Sequence, residues 1–469
     1  MAELPIPIGL RAEVVQQVTR LLRSGESCAV VGVGSSGKSN VARHLARADV
    51  RQEYFGAEAE STLLVYVNCK PLARRAPHEL FLHALDQLGR AVAEHTGALR
   101  QEQAAVEALW QAAEAQPESL ARRNLDLAVS KLEQAGATHI ALVLDDCDDL
   151  FALGAPVLFS DLRGLRDNHK PRLVYATFTR REPAFLRENT PEFEELFELL
   201  SAPGHTIPVG PYVEADALLM LRRLAARQSP ARTLNDTEAQ RLYQLAGGHA
   251  GLLRALFFAT QFDPTLAADA LSREQWTHLA DHADVEGECG KIWDSLEPEE
   301  RADLARVAAG QPPSTDGARR LERRGLLRLR LGGRYELFSP IFARVLPRLA
   351  GTAAKEAGRQ GAAEQDAAIE FVGVGRQVRV NGALVSLLAP EYEILRCLSA
   401  AGGEPCARLK LIEAMRLAEQ TERSEKVSGD PLRRLHEYVR QLKARLGPAG
   451  GLIQHSGDGY RLAPTEKPA

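Results

Sequence analysis

The sequence has no long hydrophobic run. About 18 consecutive apolar residues are needed to cross a bilayer, and no segment of the chain approaches that length. No signal peptide opens the sequence either. We therefore expect a cytoplasmic protein without a membrane partner.

Cysteine is scarce and scattered. The six cysteines form no Cys-x-x-Cys motif and no pairing with histidine. This spacing argues against a disulfide framework and against a zinc site, and it predicts reduced cytosolic thiols. The cysteines are Cys28, Cys69, Cys147, Cys289, Cys397 and Cys406.

The chain also lacks a strong excess of charge. Its 58 basic and 62 acidic residues leave a formal net charge of −4, so any surface that binds a polyanion must be local. Three methionines and three tryptophans stand among abundant Ala, Arg, Leu and Gly, a composition typical of a high-GC bacterial genome. With 45% apolar and 26% charged residues, a chain of 469 residues should form about two to four globular domains.

A glycine-rich loop follows a short apolar run near the N-terminus. Residues 29–40 read Ala-Val-Val-Gly-Val-Gly-Ser-Ser-Gly-Lys-Ser-Asn and contain the P-loop, or Walker A, pattern GxxxxGK[ST]. Gly32 and Gly37 allow the backbone N–H groups to point at a β-phosphate. Lys38 then reaches the β- and γ-phosphate oxygens, and Ser39 ligates Mg²⁺ at a helix N-terminus. The pattern predicts a site for ATP or ADP with Mg²⁺, formed by Gly32, Gly34, Ser35, Ser36, Gly37, Lys38, Ser39 and Asn40.

A second apolar run, His139–Asp146, ends in two acids. Such a run is typical of a buried parallel strand that delivers carboxylates to the end of a sheet. Taken alone, the acids would suit a turn or a helix N-cap, but downstream of a P-loop they predict a Walker B strand. Asp145 would then hold Mg²⁺ through water, and Asp146 would polarise the attacking water. The next acids, Asp148 and Asp149, are predicted to cap the following helix.

The rest of the first half adds strands and then helices. Runs at 172–181 and 206–209 predict two further strands, and the pattern is helical from Val213 to a Gly-Gly-His-Ala turn at 247–250. The P-loop, the acidic strand, the strand ending in Thr-Arg, the helical lid and this GGxPxxL-like turn resemble the STAND clade of AAA+-related ATPases. Two departures are Ala250 in place of the expected proline and Thr-Phe-Thr-Arg in place of Thr-Ser-Arg.

The resemblance implies roles for several further residues. Thr179 and Arg180 would sense the γ-phosphate, although an Arg pair after a core strand also suits a plain surface. His249, or the backbone of its turn, would approach the nucleotide. The segment around Arg11 would cover the adenine, or else belong to a simple N-terminal packing helix at 4–24. Slow hydrolysis would then depend on Asp146, Lys38 and Arg180.

Residues 292–347 predict a small winged helix, from helices, a Gly-Leu-Leu strand, a Gly332-Gly333 turn and a return strand. In STAND proteins a winged helix at this place acts as an intramolecular clasp on the nucleotide domain. A DNA-binding role stays open because arginine is dense here, at Arg319, Arg320, Arg323, Arg324, Arg328 and Arg330.

The last hundred residues form a separate pattern after a linker low in bulky side chains, residues 350–367. An NGxxVxLxxxEYxIL-like opening and a Gly-Asp-Gly-Tyr-Arg-Leu ending resemble the OmpR/PhoB-type effector winged helix over nearly its full length. The wing is one residue shorter than usual, and Asp458 stands where a basic or apolar residue is common. By this resemblance 431–446 is the recognition helix. The DNA-contacting residues would be Arg433, Arg434, Tyr438, Arg440, Lys443, Arg445, His455 and Arg461.

The predicted fold class is α/β, with a P-loop parallel-sheet ATPase core and a helical lid followed by two winged-helix domains. The predicted domains are the core at 1–212, the lid at 213–285, the first winged helix at 286–349, the linker at 350–367 and the C-terminal winged helix at 368–469.

Two functions follow from this organisation. The first is an ATP-dependent transcription regulator, whose ATP or ADP state switches a C-terminal domain that binds double-stranded DNA. The second is an oligomerising signalling or defence ATPase whose C-terminal domain binds a protein partner. A remodelling motor is less favoured because no second arginine is clearly placed as a finger from a neighbouring subunit. A homo-oligomer that forms on ATP binding is compatible with either function.

Overall fold

The computed structural model contains two compact units, residues 1–350 and 351–469. None of the described helices combines the length and the apolar character that a membrane span requires. The structure describes residues 6–72, 75–187, 190–228, 234–261, 271–330, 332–351, 369–372, 376–380, 383–422, 431–456 and 459–463.

A five-stranded parallel sheet forms the centre of the first unit. The order across the sheet is β2-β3-β4-β1-β5. The predicted acidic strand β3 therefore lies beside β4, and β5 closes the sheet next to β1. The predicted α/β class with a parallel sheet is confirmed. The strands are β1 (Cys28–Val31), β2 (Thr62–Asn68), β3 (His139–Asp145), β4 (Leu173–Thr179) and β5 (Thr206–Pro208).

Helices cover both faces of this sheet, because successive residues of a strand point to opposite sides. Val30 and Val143 pack under α1 to α3, whereas Val31 and Leu144 face the core beneath α4 to α10. The helices are α1 (Ala12–Arg23), α2 (Lys38–Leu45), α3 (Ala48–Phe55), α4 (Pro77–Ala93), α5 (Gly97–Gln101), α6 (Gln103–Ala115), α7 (Pro117–Gln134), α8 (Asp148–Leu153), α9 (Pro156–Asn168) and α10 (Pro191–Ser201).

The N-terminal helix is shorter than predicted. The sequence predicts a helix over 4–24, but α1 begins at Ala12 and residues 8–11 form a turn. Pro7 and Gly9 disfavour helix at these positions, and Arg11 adopts a left-handed backbone with φ of 55°. The prediction for residues 4 and 5 lies outside the described residues.

Beyond the sheet, the first unit continues into helices and a short antiparallel hairpin. The turn after α12 uses Gly247 and Gly248, both with positive φ, and a Cβ on Gly247 would lie 2.0 Å from the Phe338 carbonyl oxygen. The elements are α11 (Glu214–Ala226), α12 (Asp236–Ala246), α13 (Ala250–Ala259), α14 (Arg273–Asp281), α15 (Ala283–Asp294), α16 (Pro298–Ala308), α17 (Thr315–Arg323), β6 (Leu327–Leu329), β7 (Tyr335–Leu337) and α18 (340–351).

The second unit has its own hydrophobic core, built from residues such as Ile394, Leu411 and Leu442. An antiparallel sheet of order β10-β9-β8 opens it, and a second sheet of order β11-β13-β12 contains the C-terminal hairpin. Most of the predicted linker lies outside the described residues. The elements are β8 (Ile369–Phe371), β9 (Gln377–Val380), β10 (Ala383–Ser386), α19 (Ala389–Ala400), β11 (Cys406–Ala407), α20 (Arg408–Glu422), α21 (Pro431–Leu446), β12 (Ile453–Ser456) and β13 (Gly459–Leu462).

Candidate functional site

The glycine-rich loop joins the end of β1 to the start of α2, at the carboxyl edge of the sheet. Gly37 has φ of 92°, and a Cβ there would lie 2.9 Å from the hydroxyl of Tyr212. A Cβ on Gly32 would lie 2.7 Å from the Val209 carbonyl oxygen. The loop therefore requires glycine at both positions. The N–H groups of Asn40 and Val41 donate to the Gly37 carbonyl, whereas those of Lys38 and Ser39, at the start of α2, are available to an anion.

Lys38 is folded back onto the loop. Its Nζ donates hydrogen bonds to the carbonyl oxygens of Gly32, at 2.7 Å, and Val33, at 3.0 Å. Burial lowers the pKa of Lys38 to about 8, and the negative charge of Asp148 opposes this shift. A phosphate placed at the helix N-terminus would offer the ammonium group a stronger, charge-assisted partner than these two carbonyls.

Ser39 and Asp145 lie together below the loop. The Ser39 hydroxyl donates to Oδ1 of Asp145 at 3.2 Å, and the Tyr66 hydroxyl donates to Oδ2 at 3.0 Å. Burial raises the pKa of Asp145. Within the parts of the chain that the structure describes, no cluster of three or more His, Cys, Asp or Glu side chains is arranged to hold a metal ion. One hydroxyl and one carboxylate nevertheless fit Mg²⁺, which keeps several waters and takes further ligands from substrate phosphates.

Asp146 and Arg180 form the exposed edge of this centre. Asp146 has a left-handed backbone with φ of 57°. Its carboxylate lies 3.5 Å from the Arg180 guanidinium and 3.7 Å from Lys70 Nζ. Thr179 is fully buried, its Oγ1 has no hydrogen-bond partner, and its carbonyl accepts the Gly32 N–H at 3.1 Å. The structure thus brings the ends of β3 and β4 to the loop, as the sequence predicts.

Asp148 has a role that the sequence analysis missed. The prediction that it caps α8 is wrong, because Cys147 is the N-cap residue and no side-chain cap is present. Asp148 instead accepts the backbone N–H of Arg180 at 2.8 Å through Oδ1, across to β4. Burial raises its pKa, while this hydrogen bond and the positive charge of Lys38 act in the opposite direction. The clue in the sequence was a third acid so close to the strand end.

Arg11 and His249 connect the loop to other segments. Arg11 donates to the carbonyls of Ser36, Gly210 and Pro211, each at 2.8 Å. His249 is fully buried, and burial lowers its pKa to about 4. Since its Nδ1 accepts the Leu252 N–H, its Nε2 carries the proton that it donates to the Gly34 carbonyl at 3.0 Å. Both side chains contact the loop, and their contact with a nucleotide stays a prediction.

Hydrogen bonds and an ion pair join the candidate site at three places to residues 295–324, the segment after α15. The Gly34 N–H donates to the Ser295 hydroxyl at 2.8 Å. Arg181 forms a bidentate pair with Glu297, one bond of which measures 2.7 Å. Arg324 donates to the Arg180 carbonyl at 2.9 Å and to the buried Glu300 at 2.7 Å. The predicted clasp region thus contacts both the loop and the end of β4.

In the second unit, several predicted DNA-contacting residues have partners within the unit. Arg434 pairs with Glu419 at 2.9 Å and Arg440 with Glu437 at 2.5 Å. Arg445 lies 3.1 Å from Glu391, whose side chain is fully buried. The side chain of Arg433 and residue Asp458 lie outside the described residues. Among the others, Tyr438 and Lys443 are half-buried, His455 lies 3.1 Å from Arg408 and Arg461 donates to Gln454.

Residues 9–175 match the family model described as an AAA ATPase domain. The first unit has a P-loop ATPase core. The match includes the glycine-rich loop and the acids of β3, and it ends inside β4. The AAA ATPase family implies nucleotide binding at this loop, typically with Mg²⁺. No curated protein matches the chain.

Several solved structures are similar to the chain at low identity. The Walker-type ATPase of Pyrococcus abyssi is 14% identical with a TM-score of 0.43, covering 72% of this chain and 95% of that one. The Aeropyrum pernix ORC1 protein in complex with DNA is 14% identical with a TM-score of 0.34, covering 97% and 89%. Domain III of the Thermotoga maritima replication initiation protein DnaA is 13% identical with a TM-score of 0.34, covering 59% and 93%.

Proposed function

We propose that this chain is an ATP-dependent regulator in which the ATP or ADP state of the P-loop controls a C-terminal winged helix that binds double-stranded DNA. The observation that carries the switch is the hydrogen bond from the Gly34 N–H to Ser295. It joins the phosphate loop to a segment 261 residues later in the chain. Whatever changes the loop therefore changes the energy of this contact.

The ion pairs and hydrogen bonds around β4 support sensing of the γ-phosphate. Arg180 lies next to Asp146, and its side chain is about half exposed, 49%. Its carbonyl is held by Arg324, and its neighbour Arg181 is held by Glu297. A γ-phosphate would compete with Asp146 for the Arg180 guanidinium, and so change the charge next to these two contacts. We call the arrangement in which residues 295–324 contact the loop and the end of β4 the closed arrangement. ATP and ADP would then differ in affinity for it, and such a difference is what a switch requires.

The second unit supplies the proposed output. The order of its elements, three strands, a helix, a short strand, two helices and a hairpin, suits a winged helix with α21 as the recognition helix. Arg440 and Lys443 would contribute to the basic face, with Arg461 on the wing. Arg445 and Arg434 are engaged with acids inside the unit, so they would present less charge to DNA than the sequence predicts.

The experiment is a titration of duplex DNA with the full chain, with ATP or ADP, at several salt concentrations. About four phosphate contacts should give a log–log salt slope near −4, and ATP and ADP should give different affinities. The Lys38→Ala variant should bind DNA without responding to nucleotide. Residues 368–469, which have their own core, should bind with the same salt slope. A flat salt response would refute the DNA-binding part of the proposal.

A second candidate function is an oligomerising signalling ATPase whose C-terminal domain binds a protein. The observation that favours it is the pairing of Arg434 with Glu419 and of Arg445 with Glu391, on other helices, which lowers the positive charge that α21 offers. Here ATP would change the sedimentation of the full chain, whereas DNA would not bind at low salt.

A further inference from the structure

Asp148 connects the two strands whose ends form the candidate centre. It is the first residue of α8, three residues after the end of β3 at Asp145, and its Oδ1 accepts the Arg180 N–H at 2.8 Å. Arg180 follows β4 directly. This hydrogen bond is side chain to backbone, so it fixes the position of the main chain from which the Arg180 side chain extends.

The second carboxylate oxygen of Asp148, Oδ2, is buried and has no hydrogen-bond partner. A buried acceptor without a partner is costly, so the carboxylate at this position lowers the stability of the fold unless nearby charges compensate it. The positive charges of Lys38 and Arg180 act on this carboxylate and compensate part of the cost. Asp148 is thus placed between the lysine of the P-loop and the arginine at the end of β4.

We propose that Asp148 is a positioning residue of the nucleotide centre: it holds the Arg180 backbone so that the guanidinium reaches the γ-phosphate end of the site. This rests on the proposed function, in which Arg180 senses the γ-phosphate. Asp146 lies 3.5 Å from the guanidinium and would compete with a γ-phosphate for it. Asp148 instead acts through the main chain, so its hydrogen bond does not depend on where the Arg180 side chain lies.

The test compares dissociation constants for ATP and ADP in full-length variants with Mg²⁺. Arg180→Ala should lower the preference for ATP over ADP about tenfold, which corresponds to about 1.4 kcal/mol. Asp148→Ala should lower it by a similar factor and leave ADP binding within about twofold. Because Asp148 acts through Arg180, the double variant should lose about tenfold and not about a hundredfold. Asp149→Ala, which changes an exposed acid one residue along α8, is the matched control and should bind both nucleotides normally.

Asp148→Asn provides the rescue, since its amide oxygen can still accept the Arg180 N–H; its ATP preference should stay within about threefold of the wild type. If Asp148→Ala does not fold, Asp148→Ser replaces it, because serine keeps a polar side chain at this position and is too short to reach Arg180. Three outcomes would overturn the proposal. The first is a double variant whose loss of ATP preference is the product of the two single losses. The others are an equal loss of ATP and ADP affinity in the Asp148 variants, or an Asp148→Asn variant with as low an ATP preference as the Ala or Ser variant. If Arg180→Ala leaves the preference for ATP over ADP unchanged, that result would instead refute the γ-phosphate sensor of the proposed function, and this inference with it.

Discussion

Replacing Ser295 by alanine removes the oxygen that accepts the Gly34 N–H. Both residues are buried, so the closed arrangement would keep an N–H group without a partner, whereas an open arrangement would expose that group to water. An unsatisfied buried donor costs about 1–3 kcal/mol. The closed state should lose that much stability relative to any state in which the loop and the segment after α15 are apart.

The consequence for ATP follows from linkage. If ATP binds the open state, its apparent dissociation constant is the intrinsic one divided by the open fraction. Destabilising a dominant closed state by about 1–3 kcal/mol should therefore tighten ATP binding about 5- to 150-fold. The Ser295 hydroxyl also donates to the Lys291 carbonyl at 2.6 Å, in the last turn of α15, and its loss should slightly loosen the end of that helix.

The assay is equilibrium binding of a fluorescent ATP analogue, with protease sensitivity of the full chain as a second readout. Asp294→Ala is the control, because that residue is adjacent in sequence but exposed. We expect tighter binding and faster cleavage for Ser295→Ala alone. Unchanged or weaker ATP binding in Ser295→Ala, with normal binding in the control, would show that the contact does not restrain the loop.

Three further predictions concern the same unit. Lys38→Ala should abolish nucleotide binding; labelled ATP that binds this variant unchanged would rule out the P-loop site. Asp146→Asn should retain ATP and slow its hydrolysis, measured as phosphate release, and unaltered turnover would remove Asp146 from the mechanism. Burial holds the pKa of His249 at about 4, below its ordinary 6.5, so its contribution to stability is complete above pH 6.5 and is lost as the pH falls toward 4. A shift of this size is worth about 3 kcal/mol, and the difference in unfolding free energy between wild type and His249→Gln should shrink over that range.

The sequence allowed the core of the site to be predicted because its signals are local. The GxxxxGK[ST] spacing places Lys38 and Ser39 at a helix start, and an apolar run that ends in Asp145 has few alternatives to a buried strand. The resemblance to known ATPases also implied that Thr179 and Arg180, at the end of β4, lie at the nucleotide site. These features depend on neighbours in the chain or on a shared architecture.

The parts that were missed depend on partners distant in sequence. From its position in the sequence, Asp148 is predicted to cap a helix. Its hydrogen bond with the Arg180 N–H forms only because the fold places the end of β4 beside it. Nothing near Ser295 indicates that it contacts Gly34. The pairing of Arg445 with Glu391, on another helix, is likewise not apparent from the sequence. Tertiary hydrogen bonds and ion pairs of this kind leave no periodic pattern in the sequence.

The folded-back position of Lys38 has a kinetic consequence. Its ammonium uses two of its three N–H donors on the carbonyls of Gly32 and Val33, so it must release at least one of them to contact both the β- and the γ-phosphate. If this release occurs together with opening at Ser295 and precedes capture, the observed rate of ATP association should level off at high ATP concentration, at the rate of opening. The time the protein takes to respond would then be set by its own contacts and not by the supply of nucleotide.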